Sequence, residues 1–211
     1  MIQFNFNEEC YGCGLCEAVC PVKAIQMQPN PEGFVMPVIN ETACIQCGKC
    51  DRMCIRIQEH QGINISKSRI YAYYLKDRAQ QKKSTSGGAF YALAQATLAA
   101  GGVVCGCVWN DHMEAEVIAA ETIDCVERMR GSKYVQSSIQ CYEDIRMALQ
   151  WQRKVLFSGV PCQVAAVQKL FGEDDNLTTV ALLCEGTASP LAWQKYKSEL
   201  ETCVHSKKEN A

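Results

Sequence analysis

The chain has 211 residues, a formal charge of −2 and 15 cysteines, eight of them within the first 54 residues. That cysteine density belongs to small secreted disulfide scaffolds, a class for which the chain is too long. The balanced charge excludes a nucleic-acid-binding surface or a basic membrane-seeking patch. Met1–Asn7 (MIQFNFN) lacks the basic flank and apolar core of a signal peptide, and no run reaches the roughly 18 to 20 apolar residues of a membrane helix. A cytoplasmic protein is expected, in which thiols stay reduced and a cysteine cluster points to metal before disulfide.

In chain order, residues 1–66 carry 4 basic and 7 acidic groups, whereas residues 67–211 carry 17 and 16. The first piece repeats the pattern C-x2-C-x2-C-x3-C, at Cys10, Cys13, Cys16 and Cys20 and again, 34 residues on, at Cys44, Cys47, Cys50 and Cys54. Between the copies, residues 25–39 read as two short strands around a Pro/Gly turn. Large apolar residues are too few here for a conventional core, so bound clusters are expected to hold the piece together.

A cubane iron-sulfur cluster needs four converging thiolates. Three cysteines at this spacing wrap one cluster while the fourth is directed to the other, as in two-cluster bacterial ferredoxins. The expected sets are Cys10, Cys13, Cys16 and Cys54 on one cluster, and Cys44, Cys47, Cys50 and Cys20 on its partner. Pro21 follows the first copy; Ile55 stands in that place after the second, which removes no ligand. Zinc sites use ligand pairs separated by longer gaps and match this spacing poorly.

In the second piece, Arg69–Leu75 is a strand candidate, Gly87–Ala100 an Ala-rich helix, and Val103–Trp109 and Glu116–Ala120 are strands. Asp124–Arg130 and Ile139–Gln152 read as helices, Val155–Ser158 as a buried strand, Pro161–Phe171 as a helix, Leu177–Leu183 as a strand and Pro190–Glu201 as a closing helix. The expected fold class is α+β: a two-cluster ferredoxin-type domain over 1–66, then an α/β domain with a mixed, partly parallel sheet over 67–211.

Three segments carry further chemistry. Ser84–Phe90 (STSGGAF) places hydroxyls and glycines at a helix start, where free amides favour a phosphate; taken alone it is an ordinary serine N-cap. Gly131–Tyr134 offers a cation and a hydroxyl on a loop, or simply a solvated turn. Val155–Gln163 (VLFSGVPCQ) reads as strand, turn and helix, with Cys162 in the first helical turn, where the dipole lowers a thiol's pKa. Cys184 follows the next strand, so both cysteines sit beyond strand carboxyl ends, where α/β sheets bind ligands. Both are also small residues of the kind that is often buried.

The doubled cluster motif together with STSGGAF, RGSKYVQS, VLFSGVPCQ and LLCEG resembles the family made up of the beta subunits of coenzyme F420 hydrogenases and formate dehydrogenases. The resemblance runs from Cys10 to about Tyr196, and it implies an iron-sulfur flavoprotein with two 4Fe-4S clusters and FAD. It places Ser86, Gly87, Gly88, Lys133, Gly159, Pro161, Gln163 and Gly186 at the flavin, and Cys162, Cys184 and Glu185 at the reacting centre. Glu185 stands where the family usually has His, and family members commonly continue past the point where this chain stops, so a C-terminally shortened chain is expected.

The function implied is that of one component of an oxidoreductase. It would pass electrons between a flavin-linked hydride donor or acceptor, such as coenzyme F420, and a one-electron partner such as a hydrogenase, dehydrogenase or ferredoxin. A rival is a ferredoxin-like carrier with an α/β docking module and no flavin. A third reading makes Cys162 and Cys184 a redox-active dithiol. Cys105, Cys107, Cys125, Cys141 and Cys203 are expected to be structural.

Overall fold

The computed structural model describes residues 10–57 and 68–209, with side chains through 202. The expected domain boundary at Ser66 and the stretch Met1–Asn7 lie outside the described residues, as does the side chain of Cys203.

Each cysteine motif folds into a loop that closes with one short helix, α1 (Leu15–Ala18) and α2 (Lys49–Met53). Between them, β1 (Ile25–Pro29) and β2 (Val35–Ile39) pair antiparallel, Ile25 opposite Ile39 and Pro29 opposite Val35. The Asn30 side-chain oxygen sets their turn by accepting from the backbone N–H of Glu32 at 3.0 Å and of Phe34 at 2.9 Å. This is the hairpin expected from the Pro/Gly-punctuated sequence.

The second piece has α3 (Arg78–Lys82), α4 (Ala89–Ala99), β3 (Val103–Trp109), β4 (Ala115–Ala120) and α5 (Ile123–Met129). It continues with β5 (Ser138–Ile139), α6 (Tyr142–Gln150), β6 (Val155–Gly159), α7 (Pro161–Phe171), β7 (Leu177–Ala181) and α8 (Pro190–Glu209). The sheet order is β5-β4-β3-β6-β7, with β3 and β4 antiparallel and the remaining pairs parallel. This is the expected mixed sheet of an α+β protein. Period-two alternation sorts its side chains into two layers. Val103, Cys105, Val155 and Phe157 face α6 and α7, whereas Val104, Val108 and Leu156 face α4 and α5.

Three expectations are corrected. Arg69–Leu75 forms no strand: Ile70, Tyr71, Tyr73 and Tyr74 are exposed, and Leu75 docks, its N–H donating to the Gly87 carbonyl. Alternation without a neighbouring strand edge to pair with does not make a strand. Residues 139–152 divide into β5 and α6, because Ile139 is taken into register with Val117 of β4 before the helix opens. The cysteine-rich piece is not held together by its cysteines alone. Leu15, Val19 and Ile55 are buried in the same core cluster as Val103, Phe157, Val164 and Val167.

Directed bonds reinforce that shared core. The Gln136 side chain pairs with both backbone groups of Val35, its Oε1 accepting from the N–H at 2.6 Å and its Nε2 donating to the C=O at 3.1 Å. The Tyr142 hydroxyl donates to the Cys13 carbonyl at 2.9 Å. Gly12, at φ +65°, lets the first motif lie against this clamp, since a Cβ there would sit 2.1 Å from Gln136 Nε2 and 2.7 Å from the Val35 carbonyl oxygen.

Candidate functional site

The eight N-terminal cysteines form two groups in space. Cys20, Cys44, Cys47 and Cys50 line one cavity, walled by Val22, Ile25, Ile39 and Ile45. Cys10, Cys13, Cys16 and Cys54 form the second group, each within electrostatic reach of others of the set. Burial raises the Cys13 thiol to about 12, and repulsion from Cys10, Cys162 and Cys54 adds to this. Cys16 and Cys10 are likewise raised, first by burial and then, for both, by repulsion within the same set.

Each group includes one cysteine from the other motif, Cys20 in the first cavity and Cys54 in the second set. The donor chemistry fits iron-sulfur clusters, because four soft sulfurs supply a cluster's terminal ligands and nearby amides point at sulfur. Gly12 N–H donates to Cys10 Sγ at 3.3 Å and Ala24 N–H to Cys20 Sγ at 3.2 Å. Such bonds orient the ligands and tune the potential. The environments differ: Leu15 and Val19 bury the Cys10 group against the α/β layer, whereas Cys47 and Ile45 leave the Cys44 group open to solvent.

The carboxyl edge of the sheet adjoins the deeper group. β6 leads through Val160 into α7, with Pro161 in the first turn, and Cys162 lies within electrostatic reach of Cys13, Cys10 and Cys184. The expected lowering of the Cys162 pKa is corrected: the thiol is raised, chiefly by burial and then by Cys184, which outweigh the amides of Gln163 and Cys162. Desolvation of a thiolate exceeds the field of one helix end here. Beyond β7, residues 182–186 are exposed, among them Cys184 and Glu185, and Gly186 has φ +119° with open space around it.

The remaining singled-out residues serve largely as framework. Lys133 Nζ donates to the carbonyls of Arg128, Arg130 and Gly131 at 3.0, 3.1 and 3.2 Å, closing the carboxyl end of α5. Burial lowers its pKa. Gln163 is buried; its Oε1 accepts from Val160 N–H, and its Nε2 donates to the carbonyl and hydroxyl oxygens of Ser137. Gly159 lies against it, since a Cβ there would meet Gln163 Oε1 at 2.8 Å. Gly87 and Gly88 lie against Tyr73 and Leu75, and Ser86 is exposed on the same turn.

That turn is bound to the Lys133 loop by Arg130, a residue sequence reasoning passed over. Its guanidinium donates to the side chain and carbonyl of Gln80, the Glu127 carboxylate and the Ser84 hydroxyl, and lies 4.1 Å from the Tyr91 ring centroid. Arg130 and Gln136 both belong to RGSKYVQS, whose composition signals a polar loop but not the direction in which each side chain turns.

Two parts of the chain match known domains. Residues 9–56 match the 4Fe-4S dicluster domain, and residues 152–208 match the domain described as the carboxyl terminus of the coenzyme F420 hydrogenase/dehydrogenase beta subunit. The F polypeptide of the F(420)H(2) dehydrogenase of Methanosarcina mazei is 28% identical over 193 residues, covering 84% of this chain. The chain spans 54% of that relative's length. A chain of the F420-reducing [NiFe] hydrogenase complex from Methanosarcina barkeri is 26% identical, with 57% of this chain and 45% of that chain covered and a TM-score of 0.48. Among the described residues, no helix is long and apolar enough to cross a membrane. The chain is thus similar, in order along its length, to an iron-sulfur dicluster domain and to the carboxyl terminus of the coenzyme F420 hydrogenase/dehydrogenase beta subunits.

Proposed function

We propose that the chain is the electron-transferring part of a coenzyme F420-linked oxidoreductase, working in the cytoplasm with a one-electron protein partner. Cys10, Cys13, Cys16 and Cys54 would hold one 4Fe-4S cluster and Cys20, Cys44, Cys47 and Cys50 the other, within a cluster domain over 1–66 and a flavin or substrate domain over 67–211. The observation that carries this reading is a difference in surroundings: the first set packs, through Cys13, against the core of the α/β layer, and the second opens at the surface through Cys47. That order suits a path from a site on the α/β domain to an external partner.

A bound flavin supplies the exchange between a hydride and single electrons. The chain's own contribution is placement. Pro161, Cys162, Cys184, Glu185 and Gly186 would border the reacting end, and Ser86, Gly87 and Gly88 the phosphate end. Lys133, Gly159 and Gln163 hold the loops between them. Apolar packing around Cys13 and Cys16 keeps water from the inner set. The test is anaerobic purification with quantitation of iron, sulfide and FAD, followed by oxidation of reduced F420 with a one-electron dye. Two clusters' worth of iron with bound FAD and dye reduction is expected; clusters that never retain flavin or turn over F420 would overturn the reading.

A flavin-free electron carrier is the second reading, favoured by the three carbonyls that already occupy the Lys133 ammonium. It is distinguished by reversible one-electron reduction without any reaction with F420.

A further inference from the structure

The sheet register relates two cysteines outside the cluster motifs. Gly159 of β6 pairs with Ala181 of β7, and the Leu182 N–H donates to the Gly159 carbonyl at 2.9 Å, extending the pairing by one residue. Cys162 and Cys184 each stand three positions beyond that last pair, on chains that leave neighbouring parallel strands about 4.8 Å apart. Cys162 packs against the same core as Cys13, whereas Cys184 is exposed. Leu182 through Gly186 are all exposed, so movement of Cys184 onto Cys162 costs no buried contact. One thiol therefore faces the inner cluster cysteines and the other faces solvent.

We propose that Cys162 and Cys184 form a dithiol–disulfide couple that passes electrons from the cluster centres to a disulfide substrate. The inference rests on the functional reading above, which supplies the reductant.

In the reductive half, the Cys162–Cys184 sulfur–sulfur bond breaks on taking two electrons, delivered singly by reduced iron-sulfur clusters, and two protons from water, leaving two thiols. In the oxidative half, Cys184 as thiolate attacks one sulfur of the substrate disulfide. A mixed disulfide forms and the first thiol product leaves. Cys162 then attacks the Cys184 sulfur, the second thiol product leaves, and the internal disulfide is restored. The substrate disulfide is reduced to two thiols, and two clusters are each oxidised by one electron.

The test uses cluster-loaded protein and oxidised glutathione as the disulfide probe. After exposure to the probe, peptide mass spectrometry is expected to find Cys162 cross-linked to Cys184 and closed to alkylation. Photoreduced deazaflavin, a one-electron donor, is then expected to open both positions to iodoacetamide. Protein stripped of iron should keep the cross-link under the same illumination. Cys162→Ser should retain glutathione on Cys184, because no second thiol is there to release it. Cys184→Ser, altered at an exposed position, should take up no glutathione at Cys162. Failure of the cross-link to form, or its persistence while visible absorption shows the clusters reduced, overturns this inference and leaves the F420 reading standing. Lack of cluster absorption in the loaded protein overturns both.

Discussion

Replacing Leu15 by alanine probes whether the cysteine-rich piece and the α/β layer fold as one unit. Leu15 is 0% exposed and lies in α1, next to Cys16. It shares one buried core with Val19 and Ile55 of the cysteine-rich piece and with Phe157 and Val164 of the α/β layer. Buried Leu→Ala substitutions cost about 2 to 5 kcal/mol, more where the surroundings cannot collapse into the space. Flanking cysteines with fixed positions oppose collapse, so a loss of about 3 to 4 kcal/mol is expected. For a chain of this length, that lowers the melting temperature by about 6 to 16 °C. The assay follows thermal unfolding of the loaded protein by visible cluster absorption and, independently, by far-ultraviolet circular dichroism. Both midpoints should fall together, whereas Val38→Ala, at a 48% exposed position on β2, should shift them little. A cluster signal that moves while the dichroism midpoint stays in place would refute the shared core.

Three other substitutions address contacts named above. Gln136→Leu keeps the side chain's bulk but removes both bonds to Val35; it should cost about 2 kcal/mol, with faster hydrogen exchange at the Val35 amide, and unchanged exchange there would count against the clamp. Arg130→Ala removes a guanidinium that is 4% exposed and its bonds to Glu127, Gln80 and Ser84. About 3 kcal/mol should be lost, measured by urea unfolding, and a loss within error of zero would mean the loops around Ser84 and Lys133 do not depend on it. Glu121→Gln tests a surface pair, as the Arg153 guanidinium beside Glu121 holds its carboxyl below the ordinary 4.5. A depressed carboxyl contributes stability above its unfolded pKa and loses it as pH falls through the folded value. The difference between native and variant protein should thus be present at neutral pH, at most about 0.5 kcal/mol after screening, and vanish on acidification below 4.5. A difference that persists or grows in acid would show that the carboxylate charge is not its source.

The two cysteine repeats, the hairpin between them and the strand–helix alternation were legible in the sequence, because ligand spacing and side-chain period are local properties. Val103–Trp109 and Pro161–Phe171 have the same bounds in both readings. The family resemblance, carried by those repeats and four short motifs, likewise needed no coordinates. Other features depended on which surfaces meet. Arg69–Leu75 alternates as a strand does, yet among the described residues it finds no strand edge to pair with. Lys133 has the composition of an anion-binding loop, but its ammonium turns back to three carbonyls at the end of α5. Leu15, Val19 and Ile55 look too few for a core until the α/β layer supplies the other half. Cys162 carries the sequence mark of a helix-activated thiol, and burial, with Cys184 adding to it, raises its pKa instead. Local chemistry thus specified the cysteine repeats and most of the elements, while desolvation and long-range contacts, which no short stretch of sequence encodes, decided their orientation and the joining of the two pieces.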